Sequence, residues 1–357
     1  MTNRSAIVIM LYALLSLVSC TKEIQRVEEE RVPIAISVDN IQTKASIFDT
    51  PASINNPKVG GGDFALYAFV SGNSSSTGNM YMDHARVNYF PDARRWRFAD
   101  ADGIYFNYFW PLGEHLDFFG HFPLNAEDAG VTEVTYTYED GPSFEYSLPL
   151  HSYDESAARN ASLVASDTRN QEGLYEFMYS FVQDQSVETQ NADPSDPGVK
   201  MHFSHPFAAV SFHLDHAYRM TLHEIVLSEI KYKGNYSYDL SAGEWSMSED
   251  DAVDDLWIEV EKGIPTPINF NSPIGGPYIV APQELEDGSN LSVTYTRLDA
   301  QKETKHVQLN SLGVVRWEAG KHYVYTLSMG NNNEEILFKV KVDAWDIIDY
   351  KNEIDVE

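Results

Sequence analysis

Histidines, carboxylates and one cysteine are the side chains with which this chain could do chemistry. His202, His205, His213 and His216 form two His-x2-His pairs close together in the sequence. A zinc site needs neutral imidazoles converging on one point. The surrounding pattern is that of strand, where side chains alternate faces, so an odd offset sends the two members of each pair to opposite sides. The spacing predicts structural histidines and no metal site. Asp100-Ala-Asp-Gly103 looks like the start of a calcium loop, but Ile104-Tyr105-Phe106 follow where further acids should stand, so a turn is expected. No Gly-x-Ser-x-Gly elbow occurs. Carboxylate pairs for glycoside hydrolysis come from distant strands, and with 54 acidic residues a pair carries no information. The expectation is a protein without catalytic residues or cofactor, and not an enzyme.

Cys20 is the one cysteine of 357 residues. It follows Arg4, an apolar run from Ala6 to Val18, and Ser19. A charged start, a short apolar centre and a small-residue exit describe a secretory signal peptide, and the run is shorter than the roughly 18 residues read as a spanning helix. Leu17-Val-Ser-Cys20 also resembles the bacterial lipobox, whose cysteine takes a diacylglyceryl group after cleavage in front of it. Residues 1–19 are therefore expected to be a lipoprotein signal peptide, and Cys20 the lipid attachment site. Two or more acyl chains hold a membrane stably where one does not. The mature chain would retain no thiol pair for a disulfide. An ordinary secreted protein is the alternative.

A net charge of -29 excludes nucleic acid as a partner, because phosphates would be repelled. It also excludes electrostatic docking on anionic lipid. The densest acidic run, Ser248-Glu-Asp-Asp-Ala-Val-Asp-Asp255, reads as a solvated loop.

The elements that must carry these residues look like strands. Val32 to Val38 is β-rich, with Val32, Ile34, Ile36 and Val38 on one face and Ala35 and Ser37 on the other. Asp63 to Val70, Ile104 to Trp110, Leu116 to Phe122, Val131 to Tyr138, Leu291 to Arg297 and Ile336 to Trp345 show similar β-branched and aromatic content. Short segments of this kind between turn residues predict an all-β sandwich class. One helix candidate spans Tyr153 to Ser162. Residues 20–31 lack apolar periodicity and read as a flexible tether. The polar stretch Glu188 to Gly198 holds two prolines and is expected to join an N-terminal domain at 32–187 to a C-terminal one at 200–357, with 188–199 as linker. A long surface loop within one domain is the alternative.

The sequence resembles the fimbrillin-like, or Mfa-like, lipoproteins, subunits of the type V pilus. The resemblance rests on Cys20, Ile41-Gln-Thr-Lys-Ala-Ser46, Phe109-Trp-Pro111 with Leu116-Asp-Phe-Phe119, and Tyr175-Glu-Phe-Met-Tyr179. It continues through Met201 to Val210, Tyr278-Ile-Val-Ala-Pro-Gln283, Trp317 to Tyr325 and Val340-Lys-Val-Asp-Ala-Trp345. It implies two tandem transthyretin-like β-sandwich domains and export to the cell outer membrane and fimbrium. It also implies partners among other fimbrial subunits, a host protein or glycan as adhesion ligand, and loss of the first strand by proteolysis so that a strand of another subunit fills the gap by β-augmentation. Here the removable strand would be Val32 to Val38 and the cut would fall at Lys44, where the family commonly has arginine. The similar apolar alternation of Ile336, Phe338 and Val340 marks them as a candidate donor strand. A surface glycan-binding lipoprotein, marked by coplanar aromatics in a groove, is the alternative; a secreted hydrolase, marked by convergent carboxylates or a metal site, is a third.

Overall fold

The structure, a computed structural model, describes residues 31–38, 63–72, 75–90, 95–148, 177–195, 197–215, 220–249, 253–264, 272–297, 301–328 and 336–344. Cys20 and the signal peptide, the tether before Arg31, Lys44, the Tyr153–Ser162 helix, His216 and Trp345 lie outside the described residues. The first half of the chain supplies β1 (Ile36–Val38), β2 (Phe64–Ser71), β3 (Met80–Phe90), β4 (Arg95–Ala99), β5 (Tyr105–Phe106), β6 (His115–Phe122), β7 (Val131–Thr137), β8 (Gly141–Ser147) and β9 (Met178–Gln185). One helical turn, α1 (Val187–Gln190), follows. Then come β10 (Val199–Met201), β11 (Ala208–Asp215), β12 (Met220–Lys231), β13 (Lys233–Asp239), β14 (Glu244–Glu249), β15 (Val253–Ile264) and β16 (Ser272–Val280). The chain closes with β17 (Gln283–Glu284), β18 (Asn290–Arg297), β19 (Lys302–Gln308), β20 (Arg316–Trp317), β21 (Lys321–Ser328) and β22 (Leu337–Ala344). The protein is all-β, as its alternating segments predict.

In the second half, the sheet β16-β11-β21-β22 and the sheet β15-β12-β18-β19 share one apolar core. Phe212, Leu214, Tyr325 and Leu327 of the first meet Ile225, Leu227, Leu291 and Val293 of the second. β11 and β21 run parallel, so no hairpin can join them; both are buried over most of their length, as parallel central strands are. Each fully buried aliphatic side chain here contributes roughly 1.5–3 kcal/mol. Trp317 is buried yet polar-satisfied: its indole N–H donates to the Tyr325 hydroxyl at 2.9 Å.

In the first half, a six-stranded sheet, β5-β4-β3-β2-β6-β9, meets a four-stranded one, β14-β13-β8-β7. β2 is buried along its whole length, since both its faces are covered. One face, with Ala65, Tyr67 and Phe69, packs beside Phe119 of β6 and against Tyr136 and Trp245. The other carries Phe64, edge-on to Trp96 and Phe203 at 5.2 and 5.1 Å. The β13–β14 hairpin comes from residues 233–249, beyond the expected joint, yet Tyr236 pairs with Phe144 of β8. Trp245 stacks on Tyr236 at 4.9 Å and 10° and lies 4.4 Å from Tyr179 of β9. A later segment thus completes the earlier sheet pair.

Two local expectations are corrected. Ile104 to Trp110 forms only the two-residue β5, because Ile104, Tyr105 and Phe106 sit at the sheet edge, 63%, 36% and 41% exposed. His202 to His205 is not regular strand; only an isolated bridge, Ser204 to Tyr179, occurs there, and Pro206 follows, which cannot donate to a ladder.

Candidate functional site

The expected exchangeable strand meets the rest of the fold along both of its edges. Ile34, Ile36 and Val38 are buried, and Ala35 and Ser37 only partly, so the two faces fall as alternation requires. Val32 is half-buried rather than buried, because pairing starts after it: Pro33 makes an antiparallel bridge to Phe109. On one edge Ile34 N–H donates to the Tyr108 carbonyl at 2.9 Å. On the other, three residues pair in parallel with β10, Ile36 with Val199, Ser37 with Lys200 and Val38 with Met201, and Val199 N–H donates to the Ala35 carbonyl. Three parallel pairs are a short ladder.

That ladder is extended by a side chain. Gln190 is buried, its Oε1 accepts from Ala35 N–H at 2.7 Å, and its Nε2 donates to the Pro33 carbonyl at 3.2 Å. The indole N–H of Trp110, also buried, donates to the same Oε1 at 3.0 Å. Two N–H groups converging on one atom assign that atom as the oxygen. The carboxamide therefore stands in for a neighbouring strand where β10 has not yet begun.

The polar stretch from Glu188 to Gly198 is what aims Gln190. The Ser186 hydroxyl accepts from the Glu188 and Thr189 N–H groups while the Thr189 hydroxyl accepts from Ser186 N–H. This reciprocal cap starts α1. The chain then returns: Gly198 N–H donates to the Gln190 carbonyl at 2.9 Å. Gly198 has φ of 152° and lies so close to β1 that a Cβ there would be 2.9 Å from Ser37 N, a place only glycine fits. The described residues of the expected linker thus form a turn in contact with the first strand. Sequence reasoning missed Gln190 and Gly198; the available signal was Ser186 three residues before Thr189.

Ile336, Phe338 and Val340 lie in or just before β22, paired antiparallel with β21 from Leu337–Ser328 to Ala344–Lys321. Ile336 is buried in the C-terminal core and Phe338 and Val340 pack against it. β22 is an edge strand, and Lys339 and Lys341 on its other face are exposed, which discourages casual edge pairing.

The other sequence candidates take ordinary places. His202 is exposed and His205 and His213 are buried in separate positions; no His, Cys, Asp or Glu group among the described residues could hold a metal. His322, buried beside Ser211 with Nε2 at 2.7 Å from its Oγ, has its pKa lowered to about 4 by burial first and by nearby His213 second. Asp100 Oδ1 accepts from Asp102 and Ile104 N–H, an Asx-type turn. Along the β4–β5 edge, where Tyr105 and Phe106 are exposed, neighbouring rings meet at angles: Phe90 and Tyr105 at 55°, Phe106 and Tyr108 at 60°, and Phe106 and the buried Phe98 at 34°. Among the described residues this edge offers no coplanar pair for stacking on a sugar. No described helix is long and apolar enough to cross a membrane.

Comparison with known proteins bears on the family and the fold. The family model described as fimbrillin-like matches residues 50–345. Among solved structures, a fimbrial protein from Bacteroides vulgatus is similar at a TM-score of 0.52 and 14% identity, over 88% of this chain and 99% of that one. A protein described as a cell adhesion protein from Bacteroides ovatus is similar at a TM-score of 0.50 and 11% identity, over 90% and 99%. At these identities the likeness concerns the fold. No curated protein sequence matches the chain. With a family model covering most of its length, the chain belongs to the fimbrillin-like family.

Proposed function

We propose that this chain is a lipid-anchored fimbrial subunit of the outer membrane surface that supports adhesion and joins other subunits by strand exchange at β1. The observation that carries the reading is the seat of β1: a short parallel strand with Ile34, Ile36 and Val38 buried, held by few backbone bonds. A slot emptied of Ile34, Ile36 and Val38 would expose apolar surface and unpaired backbone, which another strand would cover. Cys20 would carry the acyl chains, and a cut at Lys44 would free the strand. The residues from Ile336 to Val340 are the proposed donor; they would have to leave the β21 edge to serve. The tandem organisation is proposed with its joint at the turn of 188–199, the β13–β14 hairpin crossing over to the earlier sheet pair.

The test places a specific protease recognition sequence at Lys44 of the purified full chain. Cleavage should yield ladders of polymers by native electrophoresis and light scattering. Excess peptide spanning Arg31 to Val38 should suppress them by refilling the slot. Cleaved protein that stays monomeric at high concentration overturns the exchange reading. Separately, Cys20→Ala should release the protein from membranes; unchanged membrane association overturns the anchor.

A further inference from the structure

The Gln190 carboxamide does something for β1 that no backbone group does. Ala35 N–H and the Pro33 carbonyl point from the same edge of the strand, two residues apart, just before the ladder with β10 begins at Ile36. Both are met by one buried side chain at 2.7 and 3.2 Å. A hydrogen bond to backbone atoms is blind to the side chains of the strand it holds, so the contact suits any segment seated there. It makes one demand: the seated strand must offer a carbonyl and, two residues on, an N–H, which bars proline from the second position and permits it at the first, as at Pro33.

The same device recurs at a site where nothing is expected to exchange. Gln283, also buried, accepts from Lys231 N–H at 2.9 Å and donates to the Lys231 carbonyl at 3.0 Å, fixing the end of the long strand β12. The difference is in the support. β12 has long ladders on both sides; β1 has three pairs. Removing the amide at Gln283 subtracts a little from a strand that stays. Removing it at Gln190 subtracts a large share of what keeps a short strand in.

We propose that Gln190, oriented by Trp110, is the latch of the slot: the positioning residue that sets how often β1 lifts out and how firmly a strand from a second copy of this chain is seated in its place. This rests on the exchange reading above, and the two can fail separately. Trp110 contributes by occupying Oε1 with its N–H, which stops the amide from turning its NH2 group toward Ala35.

Hydrogen exchange at individual amides of the full chain tests the latch. In Gln190→Leu, Ala35 should lose protection by roughly tenfold, the factor expected for one buried hydrogen bond, while amides of β11 and β21 stay within twofold of the unaltered protein. Gln283→Leu should leave Ala35 unchanged. Gln190→Glu is the discriminating variant. Its neutral carboxylic acid can still accept from Ala35 and donate to Pro33, whereas its carboxylate opposes the Pro33 carbonyl. Protection of Ala35, corrected for intrinsic exchange, should therefore fall as pH rises through the glutamate's own titration, with no such profile in the Gln190→Leu chain. Ala35 protection within twofold of the original in Gln190→Leu, or an equal change across all strands, overturns the proposal. Polymers forming after cleavage at an unchanged rate in Gln190→Leu would also overturn it while leaving strand exchange standing. A latch that behaves as described in a protein that never polymerises would overturn the exchange reading alone.

Discussion

β1 and β22 are the first and last of the described strands, both with apolar residues at alternate positions, and they are held in opposite ways. β22 pairs with β21 over eight residues and adds Ile336, Phe338 and Val340 to the shared core of two sheets. β1 pairs with β10 over three and relies on the Gln190 amide and the Tyr108 carbonyl for the rest. Alternation makes a strand able to cover a core; the number of backbone partners sets how firmly it is held there. On the reading proposed above, β22 belongs to the wall of its own subunit until it is donated, and β1 closes an opening in that wall.

The largest expected effect separates these roles directly. Ile336→Asp places a charge in the C-terminal core and should cost roughly 4 kcal/mol or more of global stability. Ile36→Asp buries a charge at a similar depth, yet its cost should level off near roughly 2 kcal/mol, because the strand can lift out and give up only its own burial. Denaturant midpoints at unchanged m-value measure both. Equal losses would break the distinction between wall and closure.

A smaller effect comes from acid. Burial first and His213 second lower the pKa of His322 to about 4, against 6.5 in the unfolded chain. Its neutral form is favoured in the fold, so its contribution is fully present above pH 6.5 and is lost as pH falls toward 4. His121 behaves alike, lowered to about 3 by burial and then by His84. The bonds that hold β1 come from backbone, an amide and an indole, none of which titrates there. Urea unfolding between pH 7 and pH 4 should show global stability falling, with up to about 3 kcal/mol of it absent in His322→Gln. A slope unchanged by that substitution would show that the acid loss arises elsewhere.

The smallest expected effect is the most local. Gly198→Ala adds a Cβ 2.9 Å from Ser37 N at a backbone conformation unsuited to alanine. It should loosen β1 by roughly 1 kcal/mol or more, visible as faster exchange at residues 35–38 with the global denaturation midpoint almost unmoved. A shift of the global midpoint without local loosening would assign Gly198 to the wall instead.

The sequence alone determined the all-β class, because period-two alternation is local: β7, β18 and β22 fall where it places them. It also determined that Ile34, Ile36 and Val38 face inward together, since successive side chains on a strand must alternate. The motifs from Phe109 to Trp345 that resemble fimbrillin-like proteins are sequence facts too, and the family match bears them out. Other features depend on partners far along the chain. Gln190 stands 155 residues from Ala35, in a polar, proline-containing stretch that looks solvated until its hydrogen bonds are traced. The β13–β14 hairpin belongs by position to the second half and by pairing to the first. Val32, in perfect alternation, is only half-buried because the strand's backbone partners begin at Pro33. Side-chain pattern fixes which face of a strand is apolar; which edge it joins, and how strongly, is settled by backbone hydrogen bonds that only the tertiary structure brings together.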